Sequence, residues 1–147
     1  MEYLNERLQK KQQLEDRTKR FSVAVFKMLK RIPYDITTKI IGYQLGKSSS
    51  SIGANYREAN RSESKDDFVH KIGIVLKEAS ETVYWLEILH ELYPNENAIA
   101  DLEAEAREFV RIFQATRKSI VSKSSGKNNN SSQSNNKSIQ SVNRSIG

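Results

Sequence analysis

The sequence predicts an all-α protein: an antiparallel up-down-up-down four-helix bundle over residues 1–122 and a disordered polar tail over residues 123–147. Three observations lead there: apolar residues recur at alternating steps of four and three in four separate stretches, three punctuated breaks separate those stretches, and the composition turns abruptly to Ser and Asn after Val121. A chain of 147 residues holds about one domain, so a single core with its appendages is expected.

In the first stretch Leu14, Thr18, Phe21, Val25, Met28 and Ile32 form one stripe of a helix. Pro33 and Asp35 punctuate its end and cap the next. The second stripe is Ile41, Leu45, Ser48, Ile52, Asn55 and Ala59, with small or polar residues at two seam positions. After the break Asn60-Arg61-Ser62-Glu63-Ser64, Ser64 and Asp67 have the form of a capping box. The third stripe is Phe68, Ile72, Val75, Ala79, Thr82, Leu86 and Leu89, ended by Pro94 with Asn95 as the following cap. Ile99, Leu102, Ala106, Phe109, Phe113, Thr116 and Ile120 make the fourth. Helices sharing a near-heptad register and short connections pack nearly antiparallel, at roughly 20°. The tail offers only Ile139, Val142 and Ile146 for burial, too little to offset the entropy of ordering. Its SIQSVNRSI segment is either a docking element or a passive tail.

Composition excludes several classes. The absence of cysteine removes disulfides and thiolate metal sites, and fits a reducing, cytoplasmic setting. No stretch approaches the ~18 apolar residues of a membrane span, and the N-terminal MEYLNERLQKKQQLEDR has no apolar core of a signal peptide. Net charge is +6, of which Lys123, Lys127, Lys137 and Arg144 in the acid-free tail supply four, leaving the folded part nearly balanced at +2. Any polyanion-binding surface must then come from the distribution of charge.

The third helix carries apolar residues around much of its circumference: Val69, Leu76 and Val83 lie behind its core stripe, and Ile74, Tyr84, Trp85, Ile88 and Leu92 on other faces. A bundle helix needs an apolar arc of a little over ~100°. Self-association would hide the excess; the alternative is a monomer whose aromatic rings lie at helix edges under lysine stems.

No catalytic constellation emerges. Asp67-x-x-His70 and Glu87-x-x-His90 imitate the spacing of di-iron bundles, but both lie on one helix about 30 Å apart, where such sites draw on several helices. Gly-Lys-Ser at residues 46–48 lacks the earlier glycine of a phosphate loop, because Ile41 stands there, and its apolar spacing is helical. Gly42, Gly46, Ser49 and Gly53 read as small residues that let helices approach closely. Glu78 and Glu81 pair on one turn, with Lys77 at the right spacing from Glu81 for a salt bridge. No metal and no cofactor is therefore expected.

Basic residues do form a pattern. Lys10, Arg17, Arg20, Lys27 and Arg31 repeat the rhythm of the core one residue out of phase, which places a ribbon of cations beside the first helix's buried seam. Arg107, Arg111 and Lys118 repeat this on the fourth helix. Such ribbons suit salt-sensitive, sequence-independent contact with RNA or DNA phosphates; the alternative is a solvated face whose cations complement helix dipoles.

The segment from Phe21 to Leu92 resembles a known family. Ser51-Ile52-Gly53-Ala54-Asn55, Glu58-Ala59, Phe68, Lys71, Lys77-Glu78-Ala79, Glu81-Thr82 and Tyr84-Trp85-Leu86 look like the signature of the bacterial four-helix-bundle proteins encoded in 23S ribosomal RNA intervening sequences. That family is in turn similar to basic accessory proteins of diversity-generating retroelements. The resemblance implies an antiparallel bundle, usually a homopentameric ring, without known catalytic activity. It also implies RNA or DNA, and a reverse transcriptase or other protein, as candidate partners. Tyr56 and Arg57 depart from the pattern after SIGAN, and the tail lies outside it.

Asn55, Glu58, Glu78 and Glu81, with Trp85, are expected to form a polar seam or subunit interface that fixes register; a ligand pocket is the alternative. The functional expectation is a homo-oligomer that binds nucleic acid through basic helix faces, or a protein-binding accessory subunit without nucleic-acid contact.

Overall fold

Capping chemistry sets the helix starts. In the computed structural model, which describes the backbone of residues 1–142 and the side chains of residues 1–126, four helices and no strand are present. They are α1 (Glu2–Leu29), α2 (Ile36–Asn60), α3 (Lys65–Leu92) and α4 (Asn97–Val142). Asp35 accepts from the Thr38 amide at 2.8 Å while the Thr38 hydroxyl accepts from the Asp35 amide at 2.9 Å, a reciprocal capping box for α2. Ser64 accepts from the Asp67 amide at 3.1 Å and opens α3. Asn95 is not the cap of α4, which begins two residues later at Asn97.

Neighbouring helices run antiparallel. Gly53 approaches Thr18 and Gly46 approaches Phe26 along α1–α2. Across α3–α4, Glu87 meets Arg107 and His90 meets Glu103. The α2–α3 and α3–α4 interfaces are extensive, and α1 meets α4 least. Along that thin seam the Phe21 and Phe109 rings meet edge-on, 5.2 Å apart. The predicted stripes are the core: Val25, Met28, Leu45, Ile52, Ile72, Val75, Leu86, Leu89, Ile99, Phe109 and Phe113 are fully buried.

Three features differ from the sequence reading. Tyr56 is buried against Phe113, with ring centroids 5.3 Å apart, where the stripe had placed Asn55. Helix α1 begins at Glu2, three turns before its apolar stripe, because NERLQKKQQLEDR is rich in straight-chain helix formers; this stretch leaves Tyr3, Leu4 and Leu8 exposed. The backbone of α4 continues helical to Val142, past the end near Val121 that composition predicts. Ile120 is the last partly covered side chain among the described residues, and residues 121–126 are exposed. The side chains of the SIQSVNRSI segment lie outside the described residues, as do residues 143–147 entirely.

The apolar excess of α3 is largely absorbed. Helix α3 sits between α2 and α4, so Val83 is buried and Leu76, Trp85 and Ile88 pack against the core, leaving Tyr84 and Leu92 exposed. The larger uncovered apolar surface is elsewhere, on α1–α2: Phe26 is 47% exposed, Ile40 56% and Tyr43 68%. Ile36, Ile40 and Tyr43 succeed one another on a single face of α2, and Phe26 lies over Gly46, one turn on from Tyr43.

Candidate nucleic-acid interface

The predicted cations fall into two groups. Arg17 is a clamp between α1 and α4: its Nε and Nη2 donate to the Glu105 carboxylate at 2.6 and 2.8 Å, and its guanidinium lies 5.2 Å over the Phe109 ring. Arg107 donates to Glu87 at 2.6 Å and Glu103 at 2.9 Å, Arg111 pairs with Glu108 at 3.3 Å, and Arg31 lies 3.8 Å from Glu96. These four are neutralised locally. Lys10, Arg20, Lys27 and Lys118 are exposed and make no ion pair among the described residues. The ribbon on α1 therefore keeps Lys10, Arg20 and Lys27 of its five cations, while that on α4 keeps only Lys118.

The expected polar seam is only partly assembled. On α3, Trp85 Nε1 donates to Glu81 at 3.3 Å, and Lys77 forms no ion pair with Glu81 among the described residues. Burial, reinforced by the neighbouring Glu81 charge, raises the Glu78 carboxyl above the usual range, against the pull of Lys77 and Lys47. Asn55 donates to its own helix at Ser51 O, 2.8 Å, and Glu58 is exposed, 3.9 Å from Lys71. The buried polar link across α2–α3 is instead Thr82 with Ser48, 3.0 Å apart. His90, half of an Asp/Glu-x-x-His pair in the sequence, is 2.9 Å from Glu103 of α4.

A second basic feature escapes one-dimensional reading. The N-terminal end of α1, the C-terminal end of α2, the N-terminal end of α3 and α4 near Ser119 converge at one end of the bundle and border a half-open cleft of about 750 Å³. Arg7, Lys10, Lys11, Lys65 and Lys123 line it, and no carboxylate does among the described residues. Tyr56 and Phe68 contribute aromatic surface. The Asn60 amide in its wall donates through Nδ2 to Glu15 at 3.1 Å, which leaves a buried Oδ1 without a partner among the described residues. Arg7, Lys10 and Lys11 are visible in the sequence as one helical turn, but their meeting with Lys65 and Lys123 follows from topology alone.

Fold and surface thus define the class: a four-helix bundle with a charged α1 face, an uncovered apolar α1–α2 face and a basic cleft at one end. The model of the 23S rRNA-intervening sequence protein family matches residues 10–115, and the chain belongs to that family. A crystal structure of a protein of unknown function from the S23 ribosomal protein family of Bacteroides thetaiotaomicron is similar at 30% identity and a TM-score of 0.63, covering 71% of this chain and 97% of that one. No curated protein matches the chain.

Proposed function

We propose that this protein acts by binding rather than catalysis, as a homo-oligomer, with five copies the expected number, that holds RNA or DNA by its phosphate backbone without sequence preference. The observation that carries this reading is the set of exposed cations Lys10, Arg20 and Lys27 at helical spacing along α1, without an ion pair among the described residues. Self-association through Phe26, Ile40 and Tyr43 would cover an exposed apolar face and repeat the ribbon around the assembly. Repetition matters because one bundle offers too few phosphate contacts for useful affinity at physiological salt.

The test is the salt dependence of RNA binding, followed by fluorescence anisotropy. Each phosphate contact adds about 0.9 to the slope of log K against log salt, so R20E/K27E should flatten the slope and weaken all sequences alike. A slope unchanged by that double substitution would remove α1 from the interface.

The same apolar face supports a second reading, an accessory subunit that receives a different protein there and makes no nucleic-acid contact. A protein that stays monomeric when pure and ignores RNA at low salt would favour it.

A further inference from the structure

We propose that the basic cleft at the end of the bundle binds the terminal phosphomonoester of a nucleic-acid strand; this rests on the nucleic-acid reading and adds a specificity for strand ends. Charge is the first argument. Five cations from three helices point into one concavity with no lining carboxylate, and none of the five is in an ion pair among the described residues. Such a cluster repels itself, and a concave low-dielectric wall focuses its field on whatever anion enters. Glu15, half-buried, accepts from the Asn60 amide of the cleft wall.

Shape is the second argument. A ribbon along the outside of α1 can track a continuous backbone, whereas a half-open cleft walled by four helices suits a chain end. Its volume of about 750 Å³ lies within the range of about 300–1,000 Å³ typical of small-molecule sites, enough to take a terminal nucleotide. A phosphomonoester carries about −1.5 to −2 charges at neutral pH, more than the single charge of each internal diester, so the cleft should favour it over the strand it terminates. Phe68, half-buried in the wall, and the edge of Tyr56 give the attached sugar and base an apolar surface, and base stacking on aromatics tolerates any sequence. Arg7 is held over the Tyr3 ring, its guanidinium 5.8 Å from the centroid, which restricts an otherwise free side chain at the mouth.

The experiment uses the full chain and one short single-stranded RNA in three forms: 5′-phosphate, 3′-phosphate, and hydroxyl at both ends, with the dye placed internally. Anisotropy at constant salt should show one phosphorylated form binding about tenfold tighter than the hydroxyl-ended form, and which one it is assigns the strand end. R7E/K11E/K65E, at two exposed positions and one half-buried one, should leave the circular dichroism unchanged and bring that ratio close to one. R20E/K27E should weaken all three RNAs and preserve the ratio. Equal affinity for all three RNAs would overturn the cleft assignment and leave the backbone-binding reading standing. A ratio that survives R7E/K11E/K65E would move the end site elsewhere, and no RNA binding at low salt would overturn both.

Discussion

Thr82 Oγ1 lies 3.0 Å from Ser48 Oγ across the α2–α3 seam, and both residues are buried in stripes that are otherwise mostly apolar. The Thr82 hydroxyl also reaches its own helix at Glu78 O, 2.8 Å, and Ser48 reaches Leu45 O at 3.4 Å, so neither depends wholly on the other. Polar residues in an apolar seam fix alignment because a slipped register strands them without partners.

That geometry predicts a non-additive pair. S48A and T82V should each cost about 1 kcal/mol, and the double variant less than their sum, with a coupling of about 0.5 kcal/mol or more in a urea-denaturation cycle. Strict additivity would show that the two hydroxyls bond only within their own helices.

Two glycines in similar helical settings should respond with opposite signs. A Cβ at Gly53 would lie 3.0 Å from Thr18 Oγ1 and 3.5 Å from the Thr18 backbone, and Thr18 is fully buried, so G53A should destabilise by about 1–3 kcal/mol despite better helix propensity. At Gly73 the nearest atom is the tip of Arg117 at 3.9 Å, so G73A should stabilise by about 1 kcal/mol. Thermal denaturation of the two variants separates these outcomes.

Two glutamates should move stability in opposite directions with pH. Burial alone would raise Glu103, but hydrogen bonds from His90 and Arg107 and their charges outweigh it and hold the carboxyl below its ordinary 4.5. The folded state then binds fewer protons, so the contribution is present above the ordinary value and is lost as pH falls through it to the depressed one. Glu78 is raised by burial and by Glu81, so its ionisation opposes folding as pH rises from 4.5 through the raised value. E103Q should therefore cost about 1 kcal/mol near neutrality and E78Q should gain under about 0.5 kcal/mol, both effects vanishing in acid. Urea midpoints at the two pH values provide the check.

The α1–α2 face should govern assembly. Ile40 and Tyr43 are exposed, so I40E/Y43E should leave the stability of the bundle within about 0.5 kcal/mol yet reduce its molecular mass in solution. Y84E, on the exposed part of α3, should leave the mass unchanged.

Much of the fold was legible in the sequence because helix period is a local property. Leu45, Ile52, Ile72, Leu86 and Phe109 are buried where the spacing puts them. The miss at Tyr56 has a simple origin. A strict alternation of four and three keeps a period of 3.5, but a straight helix has 3.6, so the buried face of α2 drifts until Ile52 is followed by Tyr56 rather than Asn55. The surface was less legible. The apolar girth of α3 pointed to that helix as the open face, but its two broad interfaces cover it and the thin α1–α4 seam leaves α1 the less enclosed helix. Ion pairing was also invisible in one dimension: Arg17 stands on the same ribbon as Arg20, yet only Arg17 finds Glu105.

The measurement that reaches the central claim most directly is light-scattering mass after size exclusion, with and without a short RNA duplex, from low to high salt. The account predicts an oligomer of about five copies that gains the mass of RNA at low salt and releases it as salt screens the α1 cations. A protein that is monomeric throughout, or an oligomer whose mass is unchanged by RNA at low salt, would contradict it.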